Sequence, residues 1–155
     1  MKKMLILAFA VALVLFTDSL PFTGTDVAKL HPVEVLIIRR DGEMLSATTD
    51  SSLVGVGMDV SQAIIDLKEA APGQILLDTV NYLLLTAECT DGLDSLFAYL
   101  RPACQVYYLE GEGDLTDVGE YLQSHPSSVT LLACKQGERA IPTLTVGGEV
   151  YRIAE

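Results

Sequence analysis

The chain has 155 residues, 50% of them hydrophobic and 20% charged, with a formal net charge of -11. That acidic balance excludes nucleic acid as a partner, because binding it needs a basic face that displaces counterions. It equally excludes electrostatic adhesion to an anionic lipid surface.

The N-terminus carries the clearest signal. Met1-Lys2-Lys3 precedes the uncharged apolar run Met4 to Phe16, followed by Thr17-Asp18-Ser19. A basic start and a hydrophobic run of this length read as an export signal. As a helix the run would extend roughly 20 Å, short of the ~30 Å hydrocarbon core. Two fates remain open: cleavage at the small residues Thr17-Asp18-Ser19, or retention as an N-terminal membrane anchor. Residues 1–24 are therefore the signal peptide or anchor with its linker, and 25–155 one extracytoplasmic domain. That leaves about 130 residues, enough for one core. The expected location is the outer face of the cytoplasmic membrane or the exterior.

Ser19 to Lys29 is a short polar linker. Val33 to Arg40 and Glu43 to Thr49, joined by Asp41-Gly42, predict a hairpin. Asp50 to Gly57 is turn-rich. Asp59 as N-cap, with Gln62 three residues on, opens a helix whose inner face is Val60, Ala63, Ile64, Leu67 and Ala71; Pro72-Gly73 stops it. The apolar stretch Ile75 to Leu77 and Val80 to Leu85 suits a strand buried on both faces.

Thr90 or Asp91 opens a second helix with Leu93, Leu96, Phe97 and Leu100 on one face, ended near Pro102. Cys104 to Leu109 reads as a strand. Asp114 opens a third helix with Leu115, Val118, Tyr121 and Leu122 inward, closing at Ser124-His125-Pro126. Val129 to Lys135 reads as a strand or a short helix. Ile141 to Val146, Gly147-Gly148 and Glu149 to Ile153 form a closing hairpin. The sum is an α/β fold: a single-domain mixed sheet with about three helices packed on it and hairpins at both ends.

The chemistry is thin. Cys89, Cys104 and Cys134 are odd in number and form no CxxC or Cys/His cluster, which leaves no structural zinc and no cofactor motif. A Cys89–Cys104 bridge would staple a helix to the next strand; otherwise the three are small buried hydrophobes. Gly55-Val56-Gly57 lacks the third glycine of a phosphate loop and reads as backbone turning into a helix. Asp50, Asp59 and Asp78 are the acids from which a carboxylate pair could be drawn, but Asp59, Asp91 and Asp114 are already explained as caps. Asp78 interrupts the longest apolar run, which makes it the candidate functional acid if it is not simply a turn residue. His31 and His125 each precede proline and read as surface or capping residues. Tyr107, Tyr108 and Tyr121 read as packing positions. No residue is assigned as catalytic, cofactor-binding or metal-ligating.

Several segments, in order, carry a resemblance: Thr25-Asp26-Val27-Ala28-Lys29-Leu30; Gly57-Met58-Asp59-Val60-Ser61-Gln62-Ala63 opening a helix; the apolar run Ile75 to Leu85; Leu93, Leu96, Phe97, Leu100 and Arg101; and Ile141-Pro142-Thr143-Leu144. This order resembles the N-terminal domain of the Ger(x)C family, the spore-germination lipoproteins of endospore-forming bacteria, over roughly Asp26 to Ile153. The chain departs from the family pattern in its first cysteine, which is Cys89 rather than a lipobox cysteine, and in Asp78, where the family tends to histidine. The resemblance implies a non-enzymatic, membrane-associated role in a germinant-receptor-like assembly, with a membrane-protein partner and no transferable catalytic residues. The expected function is thus a non-catalytic exported or membrane-tethered interaction module. The alternative is a small exported ligand-binding domain or hydrolase using acidic loop residues. Clustering of Asp50, Asp59 and Asp78 in one cleft would favour the alternative; their dispersal would favour the module.

Overall fold

The first apolar run after the linker becomes a central strand. The computed structural model describes residues 29–112, 115–137, 140–147 and 150–154. The export segment, most of the linker, the Asp114 cap and the Gly148-Glu149 turn lie outside the described residues. After a short strand Leu30–Pro32 (β1), Val35–Asp41 (β2) pairs antiparallel with Met44–Thr49 (β3). Asp41 faces Met44 across a two-residue turn, and Gly42 adopts φ 61°, the left-handed geometry wanted at the first central position of a type II′ turn.

The turn-rich reading of Asp50 to Gly57 is corrected by the structure. The turn is confined to the residues between Thr49 and Leu53, which are joined by a Thr49 N–H to Leu53 C=O bond of 3.0 Å. Val54–Gly57 is a strand (β4), paired antiparallel with β3. Its two glycines look like turn residues in sequence, but they serve helix α1 (Val60–Ala70), which lies directly on them. A Cβ on Gly55 would stand 2.2 Å from the Leu67 nitrogen and 2.3 Å from the Ala63 oxygen. The α1 cap is as expected: Asp59 Oδ1 accepts the Gln62 N–H at 2.8 Å, and Gln62 Oε1 accepts the Met58 N–H at 3.1 Å. Val60, Ala63, Ile64 and Leu67 are buried.

Gln74–Leu76 (β5) pairs parallel with β1, and a 3-10 turn, Leu77–Thr79, leads to Tyr82–Leu85 (β6). All four β6 residues are buried, as its apolar run requires for a strand covered on both faces. The second helix is shorter than the sequence suggests. A 3-10 segment, Ala87–Gly92, precedes a single α-turn, Leu93–Leu96 (α2), whose N-cap is Gly92 with no side-chain cap, in place of Thr90 or Asp91. Leu96 and Leu100 are buried, whereas Leu93 and Phe97 are only half-buried.

Gln105–Glu112 (β7), Leu115–Ser124 (α3), Leu131–Gln136 (α4), Thr143–Gly147 (β8) and Val150–Ala154 (β9) complete the described chain. The open choice at Val129 to Lys135 resolves as helix: Thr130 Oγ1 caps the Ala133 N–H at 3.2 Å, and Gly137 ends it at φ 68°. The main sheet runs β4-β3-β2-β6-β7-β8-β9, with β2, β6, β7 and β8 parallel and an antiparallel hairpin at each end. One face carries Leu36, Ile38, Leu83, Leu85 and Val106 against α1, α2 and α4. The other carries Val35, Ile37, Leu84, Tyr107 and Leu144 against Val118 and Leu122 of α3. This is the expected α/β domain, a mixed sheet with hairpins at both ends, and it has four α-helices among the described residues.

Cys89 and Cys104 are both buried and unbonded, so the bridge between them is absent. Burial pushes the Cys104 thiol up to about 12, against the opposing pull of Arg101. Among the described residues no helix is long and apolar enough to cross a membrane.

Candidate functional site

A concavity sits at the amino-terminal edge of the parallel strands, where α3 approaches the start of β2. Gly119 permits that approach: a Cβ there would lie 3.2 Å from Val35 Cγ2. The groove has a volume of about 460 Å³ and its polar lining is Glu34, Asp50, Ser51, Glu120 and Gln123. Three of those five are carboxylates, so the groove presents hydrogen-bond acceptors and negative charge.

Much of that acidity is already committed. Asp50 Oδ2 accepts the Glu34 N–H and Asp50 Oδ1 the Ser51 N–H, both at 2.9 Å. Glu34 Oε1 accepts from Gln123 Nε2 at 2.8 Å, tying α3 to β2. Glu34 also acts on Tyr82, whose hydroxyl is raised above its ordinary value first by burial and then by this carboxylate. The arrangement fixes the β3–β4 turn and the seat of α3, and leaves Glu120 exposed at the rim.

The other acids are dispersed. Asp59 caps α1 at the opposite edge of the sheet from Asp50, since β4 leads into α1 where β2 ends. Asp66, exposed on α1, accepts the Val56 N–H at 2.8 Å. Asp78 lies exposed in the 3-10 turn before β6. It does not line the groove with Asp50. Among the described residues no group of three His, Cys, Asp or Glu is placed to hold a metal ion.

A second groove of about 400 Å³ opens between the end of α3 and the β8–β9 hairpin. His125 stacks on Tyr121 with ring centroids 4.3 Å apart, and Tyr121 on Tyr151 at 5.2 Å. His125 Nδ1 lies 3.0 Å from the Tyr121 carbonyl, the capping role expected of it. His31 stands far off on β1, paired with Ile75. Tyr107 is a packing residue, as expected, and its hydroxyl donates to Gln105 Oε1 at 2.8 Å. Arg101 donates to Asn81 Oδ1 and to the Val80 carbonyl, fastening the chain after α2 to the residues that lead into β6.

Sequence reasoning missed Glu34, Glu120 and Gln123 as groove residues. Locally they are ordinary polar positions, Glu120 and Gln123 exposed and Glu34 half-buried, and only the placement of α3 against β2 brings them together. No family model, curated protein or solved structure matches the chain.

Proposed function

We propose that this chain is a non-catalytic interaction module, held at the outer face of the cytoplasmic membrane by its N-terminal apolar segment. It would serve a germinant-receptor-like assembly of an endospore-forming bacterium and bind a membrane-protein partner there. The observation that carries the reading is how the carboxylates are employed. Asp50, Asp59 and Asp66 accept backbone N–H groups, and Asp50 and Asp59 stand at opposite edges of the sheet. A general acid–base pair needs two carboxyl groups converging on one substrate, with environments that separate their pKa values. These acids instead hold turns, a helix start and a strand edge.

The test has two parts. Leu7→Arg breaks the only strongly apolar segment ahead of the domain, so cell fractionation should find the protein in the cytoplasm. Deleting the chain in its spore-forming host should then slow the germinant response, and the Leu7→Arg variant should fail to restore it. Unchanged export of Leu7→Arg, or unaltered germination of the deletion strain, would overturn the assignment.

The acidic groove favours a second reading, a small exported ligand-binding domain or hydrolase using Glu34, Asp50 and Glu120. Turnover of a peptide, ester or glycoside panel by purified protein, lost in a folded Glu120→Gln variant, would establish it in place of the first. The same panel with Asp78→Asn tests the acid singled out in the sequence.

A further inference from the structure

The two edges of the seven-stranded sheet differ. At the β4 edge, helix α1 supplies acceptors for the strand's own donors: Asp66 Oδ2 takes the Val56 N–H at 2.8 Å and Gln62 Oε1 the Met58 N–H at 3.1 Å. A further strand could pair there only by displacing both side chains. At the other edge, β8 holds β9 on one side through five consecutive residue pairs, and among the described residues no strand lies along the outer side. Alternate residues of such an edge direct N–H and C=O groups outwards.

Side chains on β9 distinguish two positions along this edge. Ile153 packs on the α3 side of the sheet and lines the groove of about 400 Å³ with Tyr121, His125 and Pro142, so that groove reaches the edge. Arg152, the next residue, is exposed on the opposite face, in a cross-strand row with Thr145 and Glu110. Thr145 Oγ1 donates to Glu110 Oε2 at 3.5 Å, whereas Arg152 makes no ion pair with a described residue.

We propose that β9 takes up an extended segment of the partner protein as an added strand. This deepens the interaction-module reading and rests on it. Main-chain bonds to the edge supply affinity, and the alternating side chains supply specificity. Directly paired residues share a face, so the segment carries an apolar residue opposite Ile153, at the groove, and beside it an acidic residue opposite Arg152. The net charge of -11 selects a segment that is otherwise neutral or basic, since a strongly acidic one would be repelled.

Panning a library of random peptides, about twelve residues long, on the purified full chain in detergent tests the proposal. Enriched peptides should carry an acid next to an apolar residue and should slow hydrogen exchange at β9 amides. N-methylation of alternate peptide amides should weaken binding about tenfold or more, because it removes the main-chain donors and keeps the side chains. Arg152→Glu should weaken binding about tenfold, and lysine in place of the peptide's acid should restore it. No enriched peptide, unchanged exchange at β9, equal binding of the N-methylated peptides or an Arg152→Glu chain that binds like its parent would each overturn the proposal. So would a dimer whose β9 amides are protected without peptide, which would make a second copy the occupant. The N-methylation comparison needs no variant and decides if Arg152→Glu misfolds. Export and germination are read separately, so a chain that passes those tests and fails here remains an interaction module but loses the added strand.

Discussion

Replacing Gly55 by alanine adds one methyl group where β4 meets α1, and the structure leaves no room for it. The new carbon would stand 2.2 Å from the Leu67 nitrogen, 2.3 Å from the Ala63 oxygen and 2.6 Å from the Leu67 Cα, all main-chain atoms of a helix that cannot rotate away as a side chain could. Ordinary contact at about 3.5 Å would require α1 to retreat by more than about 1 Å. That retreat loosens Val60, Ala63, Ile64 and Leu67 from the core together. Overpacking typically costs about 1–3 kcal/mol, and a rigid backbone neighbour places this case at about 3 kcal/mol or above. Urea unfolding followed by far-UV circular dichroism should show the midpoint falling by about 1 M or more, given slopes near 1–3 kcal/mol per M. Gly147→Ala is the control: nothing lies within 4 Å of its added carbon, so stability should stay within about 0.5 kcal/mol. A Gly55→Ala loss below about 1 kcal/mol would refute the close helix–strand contact.

Leu96→Ala should cost about 2–5 kcal/mol, whereas Phe97→Ala should cost no more than about 2 kcal/mol, because only Leu96 is fully buried. The Phe97 ring is half-exposed beneath Lys135 Nζ, 4.5 Å from its centroid, so the reverse order in urea unfolding would contradict the α2 geometry. The Cys104 thiol has a folded pKa raised to about 12 from 9.0, so its contribution to stability is present below pH 9 and lost as pH rises towards 12. Cys104→Ala removes that titration, and its stability should fall less steeply than that of the parent above pH 9; parallel alkaline curves would show that the thiol is not buried.

The parts of the fold read correctly from sequence were those set by local pattern. The β6 run is apolar at every position because both faces are covered, Asp59 and Gln62 sit at cap spacing, and the hairpin expected around Asp41-Gly42 forms with its turn at Gly42-Glu43, one residue further on. Where one residue type serves two purposes, the pattern misled. Gly55 and Gly57 have the composition of a turn, but they are strand residues whose missing side chains make space for α1. The short α2 escaped notice because Leu93, Leu96, Phe97 and Leu100 keep helical spacing although only Leu93–Leu96 is α-helical. The acidic groove had no local signature at all. Glu34 and Gln123 are 89 positions apart and meet only through the docking of α3.

The strand order also governs how the chain must fold. β6 lies between β2 and β7, so Val35 must find Tyr82 and Tyr82 must find Gln105 before the centre of the sheet exists. Tyr108 must then reach Thr143 before the second face can close. These are parallel pairings with no tight hairpin to start them, and closing such long loops loses entropy before contacts repay it. The two terminal hairpins can form early, but neither contains the buried strand. Apolar β6 therefore remains exposed until its neighbours on both sides arrive, and in that interval folding competes with association between unfinished chains.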